Sequence, residues 1–311
     1  MAPQQKSHSD LRRSSVVENI AVIIPTLGRP DVVYNTVSRI IAKQLKKPAT
    51  IIIVCASPED AGAAANFPEV SVLTSQIGLA KQRNTALALL DDDIDLVVFF
   101  DDDFVPAPDW LHVAARLFSQ YPDLDGFTGH VVADGIKGPG LNFEYADSIL
   151  GSVECSGATQ IMERFSPYGC NMAFRHSSIR GLHFDERLIL YGWLEDRDFG
   201  AALASRGGRL IKCNLAVGVH LGVKSGRIAG ERLGYSQVIN PLYLYRKGTM
   251  TGIQVVDHIC RNFVSNLVRS IFPEKYIDRR GRLRGNILGM MDGVLGCLEP
   301  ERAAKLRKKN V

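Results

Sequence analysis

Five apolar residues, Leu96-Val97-Val98-Phe99-Phe100, run straight into three carboxylates, Asp101-Asp102-Asp103. A short β-branched and aromatic run reads as a strand buried on both faces, and such strands belong to covered, largely parallel sheets. Three aspartates at its end repel one another, which raises their pKa values unless a cation is near. A divalent metal resolves that repulsion. Hard oxygen donors suit magnesium or manganese, which also take substrate phosphate oxygens as ligands. The stretch Asp91 to Asp93, on the other side of the run, reads as a solvated turn.

The chain around this strand repeats one grammar. Ala21 to Ile24 is an apolar run closed by Pro25 and by Gly28-Arg29-Pro30, and Val33, Val37, Ile40 and Ile41 then recur at helical spacing. Ile51 to Val54 predicts a second strand and Val70 to Leu73 a short third, with a helix over Gly78 to Leu90 leading back to Leu96. Strands alternating with helices predict an α/β fold, in which ligands bind beyond the carboxyl ends of the strands. The loops starting at Pro25, Cys55 and Asp101 are therefore the candidates. From Phe127 to about Ser178 the Gly-rich, aromatic chain predicts mixed strands and long loops. Glu195 to Arg206 then reads as a helix, with Phe199, Ala202 and Leu203 inward, and Arg209 to Lys212 as a strand.

Composition excludes several classes. With 46% apolar and 23% charged residues in 311, the chain is neither collagen-like, coiled-coil nor wholly disordered. A net charge of +4 is too small to imply nucleic-acid binding. Six cysteines with no C-x-x-C pair exclude zinc-site spacing and a disulfide framework, which points to reduced thiols and a cytoplasmic location. Residues 1–18 carry no apolar h-region and are expected to form a disordered leader rather than a signal peptide. No apolar run approaches the roughly 18 residues of a membrane span.

The last sixty residues differ. Ile253, Val256, Ile259, Cys260, Phe263, Val264, Leu267, Val268 and Ile271 describe one apolar face of a helix of about five turns. Arg279, Arg280, Arg282 and Arg284 follow, then a tail with Arg302, Lys305, Arg307, Lys308 and Lys309. A basic, amphipathic terminus fits peripheral contact with an anionic membrane. A helix packed on the core with a solvated tail fits the same pattern.

Two further constellations carry chemistry. Gly192-Trp193-Leu194-Glu195-Asp196-Arg197-Asp198 places acidic residues at a helix start, where the macrodipole favours negative charge. His220 closes the glycine-punctuated run Val217 to His220, and Lys224 and Arg227 follow in a stretch suited to a loop closing over a diphosphate. A G-x-x-x-x-G-K-[ST] loop is missing, so an apolar run ending in Asp does not mark an NTPase here.

Taken in order, Ile23-Ile24-Pro25-Thr26 with Gly28-Arg29-Pro30, Gly78-Leu79-Ala80-Lys81-Gln82-Arg83-Asn84, Asp101-Asp102-Asp103, Gly169-Cys170-Asn171-Met172-Ala173-Phe174-Arg175 and Glu195-Asp196 resemble the family 2 glycosyltransferases of GT-A fold. The resemblance spans about residues 20 to 250. It implies a nucleotide-binding, Rossmann-like mixed sheet, mainly parallel and flanked by helices, over residues 19–250. Within it, 19–125 would form the nucleotide-sugar half and 126–250 the acceptor half, with a helical basic extension over 251–311. It also implies inverting transfer from a nucleoside-diphosphate sugar, most often a UDP-sugar, with a divalent cation, Mn2+ or Mg2+. Position by position, Asp101 and Asp103 become the outer members of a D-x-D motif and His220 completes a metal site. Asp196 becomes the catalytic base, with Glu195 beside it in the catalytic pair as acceptor binder or alternative base. Pro25, Thr26, Arg29, Arg83, Asp101, Asp102, Trp193, Lys224 and Arg227 fall in the substrate-binding set. One departure stands out: after the second strand the family carries an Asp that reads base or ribose, whereas this chain has Cys55-Ala56-Ser57, with Glu59 and Asp60 displaced onward.

The expected reaction is a single in-line displacement at the anomeric carbon. Asp196 takes the acceptor proton while the metal neutralises charge on the leaving diphosphate. The expected acceptor is a saccharide or lipid-linked saccharide in polysaccharide assembly at the inner face of a membrane. Two other readings are a sugar-nucleotide nucleotidyltransferase, for which Pro25 to Pro30 is a poor phosphate loop, and a non-catalytic saccharide- or nucleotide-binding module.

Overall fold

The computed structural model describes residues 16–153, 160–163, 166–225, 229–272 and 274–306. One nine-stranded sheet runs through it, ordered β3-β2-β1-β4-β8-β6-β9-β5 with β7 paired to β9 off that path. The first four strands in this order are parallel: β1 (Ile20–Pro25), β2 (Thr50–Cys55), β3 (Val70–Thr74) and β4 (Leu96–Phe100). The direction then reverses at β8 (Asn171–Arg175), which is antiparallel to β4 and to β6 (Leu124–Asp134). β9 (Arg209–His220) runs parallel to β6 and antiparallel to β5 (Phe104–Pro106) and β7 (Ile161–Glu163).

Two layers of helix cover the sheet, and the strands alternate between them. Ile20, Val22, Ile24, Leu96, Val98 and Phe100 face α1 (Pro30–Lys43) and α3 (Trp110–Gln120). Ala21, Ile23, Val97 and Phe99 face α2 (Leu79–Leu87) and α6 (Glu195–Ser205). Fully buried rings such as Phe99, Phe174 and Phe199 each contribute about 1.5–3 kcal/mol relative to exposure. The remaining helices are α4 (Phe143–Ser152), α5 (His176–Ile179), α7 (Gly230–Lys247), α8 (Gly252–Ile271) and α9 (Arg279–Val294).

Several expectations are corrected. The helix expected over Gly78 to Leu90 ends at Leu87, because the chain turns through the acidic stretch before β4. The strand expected over Arg209 to Lys212 continues to His220 and absorbs the run read separately at Val217. The stretch from Phe127, expected to hold strands and loops, includes α4, capped by Asn142 accepting from the Tyr145 backbone N–H at 2.8 Å. Asp91 to Asp93 are exposed, as expected of a solvated turn, while Asp95 just beyond them accepts from the Glu18 and Asn19 backbones at 2.8 and 3.0 Å.

α7 and α9 approach closely through glycine. A Cβ at Gly234 would stand 2.0 Å from the Arg282 carbonyl, and one at Gly285 would stand 2.0 Å from the Glu231 carbonyl. Gly281, Gly285, Gly289 and Gly293 recur every four residues along α9, one above another on a single face.

Candidate functional site

The carboxyl ends of β1, β2 and β4 share one edge of the sheet, and β9 returns to that edge because it pairs with β5 and β6 at once. Its last residue, His220, is opposite Phe104 on one side and Asp134 on the other. This register carries the imidazole to Asp103, with Nε2 3.3 Å from Asp103 Oδ1 and Nδ1 3.2 Å from Asp134 Oδ1. Tyr168 Oη donates to the other Asp134 oxygen at 3.0 Å.

Asp101, Asp103 and His220 each offer one ligand atom, all within 4.8 Å of one another. Two carboxylates and an imidazole are a donor set for manganese or magnesium. Burial pushes the His220 pKa down, but its two aspartate partners hold it up, to about 10. Burial likewise pushes Asp103 up, and His220 and Arg29 more than reverse this, holding its carboxyl at about 2.

The triplet divides by role. Asp102 is fully buried, accepts from Thr26 Oγ1 at 2.6 Å and lies 2.8 Å from Arg29 Nη2. Burial raises its pKa to about 7 against the pull of Arg29. Its carbonyl accepts from Thr36 Oγ1 at 2.6 Å, so Asp102 ties β4 to β1 and α1 and stands outside the ligand group. Pro25 and Thr26 are buried too, and the Thr26 carbonyl accepts from Gln82 Nε2 at 2.7 Å. These three residues, expected to bind substrate, build the edge from behind. Arg29 keeps partial exposure, with Nη1 3.8 Å from Asp103.

The second half of the site is the acidic turn leading into α6. Leu190, Gly192 and Leu194 all adopt left-handed φ angles of 62, 64 and 73°. Non-glycine residues held there cost about 1–3 kcal/mol each, and the strain lies where acidic groups are presented. Glu195 is buried and ion-paired to Arg83, which is itself fully buried. Burial raises the Glu195 pKa to about 8, opposed by Arg83. The other Arg83 nitrogen donates to the Gly169 carbonyl at 2.9 Å and reaches Asp101 at 3.3 Å. Arg83 therefore joins the two halves. Asp196 is only partly buried, and its oxygens accept from the backbone N–H groups of Gly169 at 2.8 Å and Arg197 at 2.7 Å. Its pKa lies above the usual value, chiefly because of burial.

The other expected residues are less central. Trp193 is partly buried, with Nε1 unpartnered among the described residues and its carbonyl accepting from Asn240 Nδ2 at 2.8 Å. Lys224 Nζ donates to the Gly135 and Ile136 carbonyls at 2.8 and 2.9 Å, which ties the segment after His220 to the turn after β6. Arg227 lies outside the described residues. In place of the expected Asp after β2, Asp60 reaches back from beyond Cys55-Ala56-Ser57 and accepts from the Gly28 backbone at 2.9 Å.

Sequence reasoning misses Asp134, and it marks Gly169 only as the start of a family motif. Asp134 closes the run Val131-Val132-Ala133 as Asp101 closes β4, a signal that was available. Gly169 is needed for its lack of a side chain, since a Cβ there would stand 3.2 Å from Asp196 Oδ2 and 3.4 Å from Arg83 Nη2.

Solved structures share this fold at low identity. Glucosyl-3-phosphoglycerate synthase from Mycobacterium tuberculosis, in complex with Mn2+, UDP-glucose and phosphoglyceric acid, matches with TM-score 0.53 and 16% identity over 79% of this chain and 86% of its own. The mannosyltransferase PcManGT from Pyrobaculum calidifontis, in complex with GDP-Man and Mn2+, matches with TM-score 0.50 and 16% identity over 96% and 77%. S. aureus TarS 1-349 matches with TM-score 0.51 and 15% identity over 93% and 83%. No curated protein sequence matches the chain. The model of the family described as glycosyl transferase family 2 matches residues 21–182, from β1 through β8 and α5. That span is more than half of the chain and holds the D-x-D edge with its supporting strands, and the chain belongs to glycosyl transferase family 2.

Proposed function

We propose that this protein transfers a sugar from a nucleoside-diphosphate sugar to a saccharide or lipid-linked saccharide by a single inverting displacement, in polysaccharide biosynthesis as a peripheral protein at the inner face of a membrane. The observation that carries this reading is Arg83, whose two terminal nitrogens join Asp101 on the metal-ligand side to Glu195 on the acidic turn. A donor held by its diphosphate at the first thus presents its anomeric carbon toward the second.

In this mechanism Asp101, Asp103 and His220 hold a divalent cation, which when bound neutralises charge on the diphosphate. Asp134 orients His220 through Nδ1, and Arg29 supplies a further positive charge beside Asp103. Asp196 is the base: each oxygen accepts one backbone N–H and retains lone pairs for the acceptor proton. Its pKa moves toward neutrality, where general-base catalysis is most effective. Glu195 is committed to Arg83 and positions the turn rather than taking the proton. The Mn2+ complexes of the two neighbours with UDP-glucose and GDP-Man support both the metal and the donor class.

A thermal-shift panel of UDP-, GDP- and dTDP-sugars with and without Mn2+ tests the reading. A donor that binds the folded chain raises its apparent stability, and the expected result is a shift for one nucleotide series that requires the metal. Product analysis must then give nucleoside diphosphate. Release of pyrophosphate would assign a nucleotidyltransferase instead.

A further inference from the structure

α8 is built inside out. Its inward side carries Asn266, fully buried, whose Nδ2 donates to Gln237 Oε1 at 2.9 Å and Asn286 Oδ1 at 2.8 Å, while its Oδ1 accepts from Arg279 at 3.1 Å. Asn286 Nδ2 passes a further hydrogen bond to the Gly234 carbonyl at 2.7 Å. Buried polar groups persist where each finds partners, so this network fixes the rotation of α8 about its own axis. The opposite face is forced outward. Ile253, Val256, Val264, Leu267, Val268 and Ile271 are all exposed, Ile253 at 84%. With exposed Cys260 bridging Val256 and Val264, three- and four-residue spacing makes them one continuous stripe about 30 Å long. α9, packed on α8, also leaves Ile287, Met291 and Val294 exposed, as is Leu295 just beyond it. Isolated soluble chains rarely leave so much contiguous apolar surface uncovered.

Charge indicates what covers it. Residues 251–311 hold twelve Lys and Arg against six Asp and Glu, in a chain whose overall charge is only +4. The carboxylates beside the stripe are already paired: Asp257 with Arg261 at 2.6 Å, and Glu274 with Arg269 and Arg279 at 2.6 and 2.5 Å. Lys275, Arg280 and Arg284 are exposed and make no ion pair among the described residues. We propose that this face lies on an anionic lipid surface, with α8 in the plane of the interface, its aliphatic stripe at the acyl boundary and the basic residues over the headgroup phosphates. No helix among the described residues is long and apolar enough to cross a membrane. A second copy is the poorer occupant, because a two-fold interface sets the patch against itself and would oppose one basic rim to the other. The inference deepens the peripheral placement proposed above. Its test reads lipid binding, so its failure is distinguishable from failure of the transferase reading.

The full chain is floated with vesicles of phosphatidylcholine alone and of phosphatidylcholine with phosphatidylglycerol. Wild type is expected to float with the anionic vesicles only. The triple variant Val256→Ser, Val264→Ser, Val268→Ser changes exposed residues alone and is expected to keep its thermal unfolding midpoint while its floated fraction falls about tenfold. Arg280→Glu with Arg284→Glu is expected to lose about tenfold or more in anionic-vesicle affinity. Cys260 is exposed on α8; with Cys297→Ser removing the other thiol exposed among the described residues, and Cys155→Ser alongside it, a polarity-sensitive label at Cys260 should shift to the blue on vesicle addition. Wild type that stays in solution with both vesicle types overturns the proposal. So does unimpaired flotation of the triple variant, or an unmoved label on floated protein. A vesicle-free dimer that the triple variant converts to monomer, without lipid binding by either form, gives the face to a second copy.

Discussion

The backbone N–H of Gly169 donates to Asp196 at 2.8 Å, although the two residues belong to different layers of the molecule. Gly169 stands just before β8, beside β4 and its carboxylates, whereas Asp196 opens α6. The contact fixes the acidic turn against the edge of the sheet.

Asp196→Asn removes the base, and its single amide oxygen keeps one of the two backbone N–H contacts, since Nδ2 cannot accept the other. It should cut turnover by about 10²–10⁴-fold while metal-dependent donor binding stays near wild type, as read by thermal shift and product release. Near-normal turnover would return the base role to Glu195 or to a group still unnamed.

Removing divalent cations with a chelator should abolish the donor-induced thermal shift without unfolding the chain. Asp103→Asn and His220→Gln should weaken Mn2+ binding directly. Asp134→Asn acts through His220 and should cost about 10–100-fold in metal affinity, measured by calorimetric titration.

Arg83→Met strands Glu195 as a buried, unpaired carboxylate, and breaking a buried pair in this way costs about 3–5 kcal/mol. Urea denaturation should show that loss. The double variant Arg83→Met, Glu195→Gln should recover part of it, since the remaining amide carries no charge.

Asp185 accepts from Lys247 at 2.7 Å and from Tyr243 at 2.8 Å. Burial alone would raise its pKa, yet these hydrogen bonds hold it below the usual value, while Lys247 is held above its own. The Asp185 contribution is present above the unfolded carboxylate value of about 3.9 and is lost as pH falls through the lower folded value. The Lys247 contribution is present below about 10.4 and is lost as pH rises beyond it. Asp185→Asn should cost about 1–3 kcal/mol at neutral pH and flatten the acid limb of urea midpoint against pH.

Gly285→Ala forces a methyl group against the Glu231 carbonyl and the Tyr235 amide of α7. Overpacking of this kind costs about 1–3 kcal/mol, and the denaturation midpoint should fall accordingly.

The parts of the fold legible in the sequence are those whose signal is local. β1, β2 and β4 are buried on both faces and so appear as unbroken apolar runs, and the carboxylates at Asp101 and Asp103 follow directly from the end of β4. The helix at Glu195 shows itself by its acidic first turn. α7 does not: it buries Ser236, Gln237 and Asn240, contains Pro241 and packs on α9 through glycines, so no apolar stripe marks it. α9 reads as Gly- and Arg-rich chain for the same reason. α3 is not among the predicted elements although its apolar face is plain, since Pro106 and Pro108 just ahead of it punctuate the segment. His220 meets Asp134 only through the pairing of β9 with β6, a long-range register that no sequence window contains. α8 shows the converse: its apolar face is legible, but which way that face points is decided by the Asn266 network.

α7 also reaches the acidic turn, through Asn240 on the Trp193 carbonyl and Lys247 on Asp198 at 2.7 Å. The C-terminal helices are thus a brace for α6 as well as an outer surface. Shortening the chain to ask what they touch would slacken the turn that carries Asp196, so loss of turnover in a truncated protein would not report on lipid contact. Surface substitutions that leave the brace intact are the separable experiment.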